Sequence, residues 1–409
     1  MKIVIINHSD TRGGASVVSL RLLEALHAAG ADVHMLTVHK ASASPLVVKA
    51  SPDWRAKIPF LAEHLRIFFS NGFNRADLFK VSTGSDGLPL DRHPLVADAD
   101  AVILNWVNQG MLSLKAIRRM ADAGKRIIWT MHDMWNLTGI CHHAGSCDAF
   151  SMTPGCGVCP FLHGRQRPHD LSRKVWQQKK ELYSHSRITF VAVSSWLAQK
   201  CQESSLMRSC RVEVIPNAFP VGEFSLTPSV SRKAIGLPED KKIILMGAAR
   251  IDDPVKGLPL AIDALNRLDA PDAVAVFFGA MRDAGALKDL SLPHFHFGPV
   301  TDAVTLRELY AHASVVLSSS LYETLPGTLI EGMAAGCFPV TFGRGGQADI
   351  VDHLTTGYIA RYPDTADLAK GIRIGLDADP DTAIRLRKSV CDKFAADAVA
   401  EKYMRLLNT

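Results

Sequence analysis

Short apolar runs alternate with amphipathic stretches along most of the chain. The first run, at residues 2–7, is followed by a loop with Gly13-Gly14 and by a helical face that ends at Gly30. Further strands are predicted in this half at residues 33–38, 101–104, 126–130, 189–193 and 212–217. This alternation is typical of a doubly wound parallel sheet.

A second series of the same kind follows a proline-rich stretch. Residues 218–238 lack periodicity, so we interpret them as a linker. Beyond it, strands are predicted at residues 242–247, 274–279, 294–298, 314–318 and 338–341. The sequence therefore predicts an α/β protein with two Rossmann-like domains, whose ligands lie in a cleft at the carboxyl ends of the strands.

Length and composition agree with this organisation. The chain has 409 residues, of which 47% are hydrophobic and 21% charged, a balance that excludes wholesale disorder and fibrous repeats. We expect a first domain at residues 1–220, a second at 221–385, and a C-terminal helix at 386–409 that packs back toward the first domain.

The charge pattern restricts partners and location. A net charge of +5 suits phosphorylated substrates or an anionic lipid surface but is too small to indicate nucleic acid. The apolar run at the N-terminus is too short for a secretory signal, and no run reaches the roughly 18 apolar residues of a membrane span. A cytoplasmic location is therefore expected, where clustered cysteines hold metal more often than they form disulfides.

Residues 51–80 mix large apolar and basic side chains. Trp54, Leu61 and Phe69 belong to the apolar set, and Arg55 and Lys57 to the basic set. One interpretation is a basic amphipathic helix that touches a membrane or a lipid-linked acceptor. The other is a helix that packs into the core and leaves its charges in solvent.

Two glutamates mark the second half. Glu323 follows the strand at 314–318, and Glu331 lies in a helix that we expect to start near Pro326. The amides at the start of this helix suit a diphosphate or a sugar hydroxyl, and Glu331 could accept hydrogen bonds from a ribose. On spacing alone, a solvated helix face is the favoured explanation of the two glutamates.

Two cations precede them in the chain. Arg250 and Lys256 flank a strand-to-helix junction, where positioned cations can neutralise a departing diphosphate. A surface pair beside the turn at Asp252-Asp253 is the alternative.

Taken together and in order, these motifs resemble the retaining, nucleotide-sugar-dependent glycosyltransferases of family 4, which have the GT-B architecture of two facing Rossmann-like domains. The resemblance rests on Gly13-Gly14, His132-Asp133, Ile215-Pro216-Asn217, Arg250 with Lys256-Gly257, and the segment from Glu323 to Val340 that contains Glu331.

The resemblance implies a role for each residue. Arg250 and Lys256 would bind the donor diphosphate, Glu323 the hydroxyls of the transferred sugar, and Glu331 the ribose. His132 would face the donor sugar. Backbone near Thr324, Leu325 and Thr328 would hold phosphate or sugar, and Gly13-Gly14 would let backbone approach the donor phosphate and the acceptor. Attack would come from the front face, with the leaving phosphate accepting the acceptor proton and no protein nucleophile.

The sequence departs from the family pattern at the first cation, where Ala249 replaces the usual glycine before Arg250. Two acid-x-acid pairs, Asp98 with Asp100 and Asp377 with Asp379, match a metal pattern formally. Neither pair follows a second-domain strand at the expected donor site, so no catalytic metal is predicted.

Four of the eight cysteines fall in one short segment, the Cys-rich insertion at residues 141–160. Cys141, Cys147, Cys156 and Cys159 would complete a tetrahedral structural zinc site in a loop rich in glycine and proline. Free thiols or two disulfides are the alternatives, and an iron–sulfur cluster fits the spacing less well. A similar insertion occurs in a subset of bacterial polysaccharide glycosyltransferases, including colanic-acid-type enzymes. We expect it to shape the acceptor cleft next to His132.

The expected function is transfer of a sugar from a nucleotide diphosphate to a glycan or lipid-linked acceptor in bacterial surface-polysaccharide assembly. A GT-B nucleotide-sugar epimerase and an inactive zinc-stabilised scaffold are the alternatives. The intact set of Arg250, Lys256, Glu323 and Glu331 argues against a scaffold, because a scaffold has no use for it.

Overall fold

A computed structural model describes residues 1–164 and 169–408. It divides into two compact units, one formed by Met1–Pro216 with the C-terminal residues from Val399, and one formed by Asn217–Ala398. The division falls a few residues before the position expected from the proline-rich linker. Thr409, the last residue of the predicted C-terminal helix, lies outside the described residues.

The first unit contains a seven-stranded parallel sheet. Its strands are β1 (Lys2–Ile6), β2 (Asp32–Thr37), β3 (Val47–Lys49), β4 (Ala101–Leu104), β5 (Arg126–Met131), β6 (Ile188–Ala192) and β7 (Val212–Val214). Their order in the sheet is β3-β2-β1-β4-β5-β6-β7. The helices are α1 (Gly14–Ala28), α2 (Asp53–Ser70), α3 (Pro94–Asp98), α4 (Leu114–Asp122), α5 (Leu171–His185) and α6 (Ser195–Glu203).

The second unit repeats this plan with six parallel strands. They are β8 (Lys242–Arg250), β9 (Ala273–Ala280), β10 (His294–His296), β11 (Val315–Ser318), β12 (Phe338–Phe342) and β13 (Tyr358–Ala360), in the order β10-β9-β8-β11-β12-β13. The helices are α7 (Leu258–Asn266), α8 (Ala303–His312), α9 (Gly327–Ala334), α10 (Gln347–Ile350), α11 (Thr365–Leu376) and α12 (Asp381–Phe394). A last helix, α13 (Ala396–Asn408), ends the described chain.

The prediction of one C-terminal helix was wrong. Ala395, with φ −57° and ψ 144°, leaves the helical region and separates α12 from α13. Because the side chains on both sides of Ala395 keep a helical pattern, the sequence does not reveal the break. Helix α12 packs on α9 in the second unit, whereas the chain belongs to the first unit from Val399 onward.

Two strands were missed, and β8 extends well beyond its predicted end. β3 and β13 are edge strands of three residues each, too short to show alternation. The strand predicted at 242–247 continues to Arg250 through a register irregularity against β9. Arg250 therefore stands at the end of a strand.

The order of each sheet reverses once, between β1 and β4 in the first unit and between β8 and β11 in the second. Loops that leave the carboxyl ends of two such strands diverge to opposite faces of the sheet, which opens a crevice there. Most of the candidate site residues described next follow strands at these two reversal points, and His132 and Asp133 follow the neighbouring strand β5.

Candidate active site

In the second unit, the loops after β8 and β11 bring a cation and a carboxylate together. Lys256 Nζ lies 2.5 Å from Glu323 Oε1, although the two residues are 67 positions apart in sequence. The Ser320 hydroxyl donates to the same carboxylate oxygen at 3.0 Å. Both side chains of the ion pair are partly exposed, so it is accessible to a ligand.

Backbone contacts fix this pair in place. Gly257, directly after Lys256, has φ +64°, and a Cβ atom there would lie 2.2 Å from the carbonyl oxygen of Ser319. The Ser319 hydroxyl donates to the Lys256 carbonyl at 2.9 Å, and the Leu321 amide donates to the Val255 carbonyl at 2.8 Å. Only glycine allows the two loops to approach this closely.

Arg250 lies next to two carboxylates of its own loop. Its Nη2 atom is 2.8 Å from Asp253 Oδ2, and its Nε atom is 3.5 Å from Asp252 Oδ1. Arg250 Nε and Asp252 Oδ1 are both buried, and neither has a hydrogen-bond partner among the described residues. The rest of the Arg250 side chain is partly exposed, so an anion can reach the guanidinium group beside these carboxylates.

Helix α9 starts immediately after Pro326, and no side chain caps its N-terminus. Thr324 just before it is buried, and Leu325 and Thr328 are partly buried. Glu331, on the second turn, accepts a hydrogen bond of 3.4 Å from the Tyr310 hydroxyl. Tyr310 was not among the predicted site residues.

In the first unit, Gly13 and Gly14 form the start of α1. Gly13 has φ +85°, no side chain caps the helix, and a Cβ atom at either glycine would meet no atom within 4 Å. The backbone at this helix N-terminus is therefore open to a ligand, and its dipole favours an anion.

His132 and Asp133 follow β5. His132 Nε2 is 3.4 Å from the side-chain oxygen of Asn105, which follows β4. Burial lowers the pKa of His132 to about 4 against the opposing effect of Asp133, so the ring is neutral at pH 7. Burial works to raise the pKa of Asp133, but electrostatic attraction to His142 and His143 and hydrogen bonds from His142 and the Trp135 amide together outweigh it and lower that pKa to about 2.

Two family profiles match the chain. Residues 12–222, more than half of the chain, match Glycosyltransferase Family 4, and residues 229–389 match Glycosyl transferases group 1. The chain belongs to Glycosyltransferase Family 4. Each of the two structural units thus corresponds to one of the matched regions.

Solved structures show the same fold as this family 4 protein. HepE of Anabaena, in complex with UDP and glucose, is 16% identical and has a TM-score of 0.64 over 100% of this chain and 99% of HepE. Sucrose-phosphate synthase of Thermosynechococcus elongatus is 18% identical with a TM-score of 0.67 over 100% and 98% of the two chains. The predicted GT-B fold is confirmed.

Curated relatives match over a shorter length. A Bacillus subtilis protein provisionally named glycosyltransferase YtcC is 35% identical over 34% of this chain and 38% of the relative. Escherichia coli WcaC, provisionally named a colanic acid biosynthesis glycosyl transferase, is 28% identical over 40% of each protein. The match thus spans less than half of either relative.

Three residues of the family 4 chain near His132 were not predicted. Asp133 Oδ2 accepts hydrogen bonds from the indole of Trp106 at 3.0 Å and from the His142 ring at 2.7 Å, and His142 Nε2 lies 3.0 Å from the Ser82 hydroxyl. Trp106 could have been suggested by its place after a central strand. Ser82 and His142 carry no such sequence signal.

The side chains of the Cys-rich insertion are not grouped as the ligands of a metal ion. Within residues 1–164 and 169–408, no group of three or more His, Cys, Asp or Glu side chains is arranged to hold a metal ion. All eight cysteines are free thiols, so neither disulfide considered as an alternative is present. Zinc at Cys141, Cys147, Cys156 and Cys159 stays a prediction. One zinc per chain, measured on protein purified under reducing conditions, would support it, and metal-free protein would reject it.

The two acid-x-acid pairs lie at surface ion pairs. Asp98 and Asp100 both bind Lys2, through its side chain and its backbone amide respectively, and Asp377 pairs with Lys242.

Proposed function

We propose that this protein is a retaining glycosyltransferase that moves a sugar from a nucleotide diphosphate to a glycan or a lipid-linked acceptor. The observation that carries the proposal is the Lys256–Glu323 pair at the sheet reversal between β8 and β11. In this pair, the Lys256 ammonium group, which would bind the diphosphate, contacts the Glu323 carboxylate, which would bind sugar hydroxyls. UDP and glucose in the complex of HepE support a nucleotide-sugar donor.

The second unit would bind the donor. Arg250 and Lys256 would contact the diphosphate, which offers more acceptor oxygens than Asp253 and Glu323 do in the ligand-free protein. Glu323 would then be released to accept hydrogen bonds from the sugar. Glu331, already bound to Tyr310, would accept from the ribose, and backbone near Thr324, Leu325 and Thr328 would hold phosphate or sugar.

Front-face attack accounts for retention without a protein nucleophile. The acceptor oxygen forms a bond to the anomeric carbon on the face from which the diphosphate leaves, and its proton passes to a phosphate oxygen of the leaving group. Arg250 and Lys256 stabilise the negative charge that develops on that phosphate. His132 is neutral at pH 7, so it can serve as a hydrogen-bonding partner of the sugar without adding charge.

The first unit would bind the acceptor. The open backbone at Gly13-Gly14 follows β1 at the sheet reversal, and the ring of His132 follows β5, one strand beyond it. The similarity to WcaC supports an acceptor in bacterial surface-polysaccharide assembly, a glycan or a lipid-linked saccharide.

A donor panel tests the proposal directly. Binding of UDP-, GDP- and ADP-sugars to the full-length protein is measured by calorimetry for wild type, Lys256→Ala, Glu323→Gln and Glu331→Ala. Lys241→Ala is the matched control, because Lys241 lies in the same unit and its ammonium group donates to the backbone carbonyl of Pro271.

One nucleotide sugar is expected to bind, and Lys256→Ala is expected to weaken it by about 10–100-fold, the loss of about 1.5–3 kcal/mol from a charged hydrogen bond. Lys241→Ala should bind as wild type does. If no nucleotide sugar binds, or if Lys256→Ala and Lys241→Ala bind equally well, the proposed donor site is wrong.

Helix α2 supports the finer proposal that the enzyme works at a membrane. Trp54, Ile58, Leu61, Leu65 and Phe69 lie on one face of this helix, and each is more than half exposed. The opposite face, with Ala56 and Ile67, is buried, which overturns the interpretation of α2 as a helix that places its large apolar side chains in the core.

The charges around this face fit an anionic lipid surface. Arg55 and Lys57 flank the apolar stripe on its two sides, and Arg75 follows the helix. The carboxylate of Glu63 faces inward, where it accepts from Thr83 and Gly84. No helix in the described parts of the chain is long and apolar enough to cross a bilayer. From the exposed apolar stripe and its flanking cations, we propose peripheral attachment at the inner face of the membrane, through α2.

Vesicle sedimentation tests the attachment. Wild type is expected to bind vesicles that contain phosphatidylglycerol more tightly than neutral phosphatidylcholine vesicles, and Leu61→Ser/Leu65→Ser should lose most of that binding. Ile384→Ser is the control, because Ile384 is equally exposed on the second unit. Equal binding of wild type and the double variant would refute the proposal. Concentration-dependent self-association of wild type that the double variant abolishes would also refute the proposal. The apolar stripe would then bind a second copy of the chain.

A further inference from the structure

A chain of buried hydrogen bonds leads from the Cys-rich insertion to Asp133. His142, the second residue of the insertion, places Nδ1 2.7 Å from Asp133 Oδ2 and Nε2 3.0 Å from the Ser82 hydroxyl. Ser82 is fully buried, and Asp133 and His142 are each 8% exposed. Serine, histidine and carboxylate therefore stand in the order of a hydrolase triad.

The direction of each hydrogen bond follows from Asp133. Its carboxylate is ionised, so it can only accept, and His142 Nδ1 must carry the proton that joins them. When the ring carries only that proton, Nε2 is an acceptor, and the Ser82 hydroxyl donates to it. Two further donors hold the Asp133 carboxylate in place, because Oδ1 accepts from the Trp135 amide at 2.8 Å and Oδ2 from the Trp106 indole.

The backbone holds Ser82 and His142 rigidly against each other. The Ser82 amide donates to the Ile140 carbonyl at 2.8 Å, and the His142 amide donates to the Lys80 carbonyl at 3.0 Å. The Ser82 carbonyl in turn accepts from the Trp135 indole at 2.8 Å. Such over-determined contacts fix a side chain more strongly than a single hydrogen bond could.

Burial excludes the nucleophilic role that the triad order suggests. A serine with no exposed surface cannot reach a substrate carbonyl. What the arrangement does control is the turn at His132-Asp133 and the indole of Trp106, which stacks at 5.5 Å on the His142 ring.

We propose that His142 and Ser82 are positioning residues for the glycosyl transfer reaction, which act through Asp133 to set the orientation of His132 and Trp106. The Cys-rich insertion is thereby part of the reaction machinery of the first unit: it delivers the histidine that holds Asp133. The inference rests on the proposed function, because the reaction that it serves is sugar transfer.

Two measurements on the full-length protein test it. Long-range ¹H–¹⁵N NMR of histidine-labelled protein reports the tautomer of His142 and the environment of His132 without any substrate. Steady-state kinetics with the donor found in the panel separates kcat from donor KM for His142→Phe, His142→Asn and Ser82→Ala. His34→Phe is the control, because His34 faces a carboxylate, Asp32, at 3.9 Å elsewhere in the same unit.

The expected tautomer of His142 has its proton on Nδ1, and His142→Phe and Ser82→Ala should shift the His132 signals. His142→Phe should lower kcat by about 10–100-fold with donor KM unchanged, as for a misplaced reaction partner. His142→Asn should recover most of the loss, because its amide can replace Nδ1–H. His34→Phe should match wild type.

A proton on Nε2 of His142, unmoved His132 signals, or an unchanged kcat in His142→Phe and Ser82→Ala would overturn the proposal. Labelling of Ser82 by a fluorophosphonate would also overturn it, in favour of a nucleophile. If wild type turns over no nucleotide sugar, the proposed function fails, and the NMR result still decides whether His142 positions His132.

Discussion

At the scale of single residues, Gly257 shows how the site depends on a missing side chain. Its φ of +64° disfavours any L-residue with a Cβ, and the carbonyl oxygen of Ser319 occupies the place that a Cβ would need. A methyl group there must therefore separate the loops that bring Lys256 to Glu323.

Replacing Gly257 by alanine is expected to destabilise the second unit by about 2–4 kcal/mol, the sum of backbone strain and a steric shift. Gly236→Ala is the control, because Gly236 has φ +75° but no atom within 4 Å of the position that a Cβ would take. Gly236→Ala should lower the free energy of unfolding by only about 1 kcal/mol. Chemical denaturation measures both, and equal losses in the two variants would contradict the steric explanation.

His132 gives a second prediction at this scale, for the dependence of stability on pH. Its pKa of about 4 in the folded protein lies below the 6.5 of an unfolded chain. Between these values the unfolded state binds a proton that the folded state does not. Stability due to this group is therefore complete above pH 6.5 and lost as the pH falls toward 4.

Wild type should consequently lose stability more steeply than His132→Gln between pH 6.5 and 4, by about 1–3 kcal/mol over the window. The free energy of unfolding of the first unit, measured at several pH values, provides the comparison. His27→Gln, at an exposed position at the end of α1, should follow wild type. Parallel curves for wild type and His132→Gln would show that His132 titrates normally in the folded protein.

At the scale of secondary-structure elements, α13 shows that neighbours in sequence can belong to different units. Its residues from Val399 onward are part of the first unit, and the fully buried Tyr403 hydroxyl lies 2.8 Å from the Thr130 hydroxyl on β5. The side chain thus ties the end of the chain to the strand that carries His132.

Tyr403→Phe is expected to lower the free energy of unfolding by about 1–2 kcal/mol, because it leaves the buried Thr130 hydroxyl without this partner. Adding Thr130→Val removes the other half of the pair, so the double variant should be less destabilised than the sum of the two single variants. A double-mutant cycle measured by denaturation gives the coupling energy. Additive losses would mean that the two hydroxyls do not interact.

In helix α2, the apolar pattern is visible in the sequence, but the sequence does not show which face of the helix is buried. The sequence shows apolar residues on more than one side of this helix, and either side could have been buried. Glu63 helps to decide the matter, since it accepts hydrogen bonds from Thr83 and Gly84 and so points its own face inward. The stripe from Trp54 to Phe69 is left on the outside.

At the scale of the whole molecule, sheet order determines which candidate residues meet. Lys256 and Glu323 follow β8 and β11, which are neighbours only because the order of the second sheet reverses there. In the first unit, Asn105 after β4 and His132 after β5 meet because these two consecutive strands are neighbours in the sheet. Residue types and their order along the chain indicated the chemistry, but their pairing depends on the sheet.

The sequence by itself determined the repeated strand–helix alternation, the two-part α/β organisation and the residue types of the donor site. These features are local, because apolar periodicity and turn residues act over a few positions. Only the tertiary structure decided that Lys256 pairs with Glu323, that α2 exposes its apolar stripe, and that Ser82 and His142 hold Asp133. Those contacts join residues up to 67 positions apart, and their geometry depends on how sheets and loops pack.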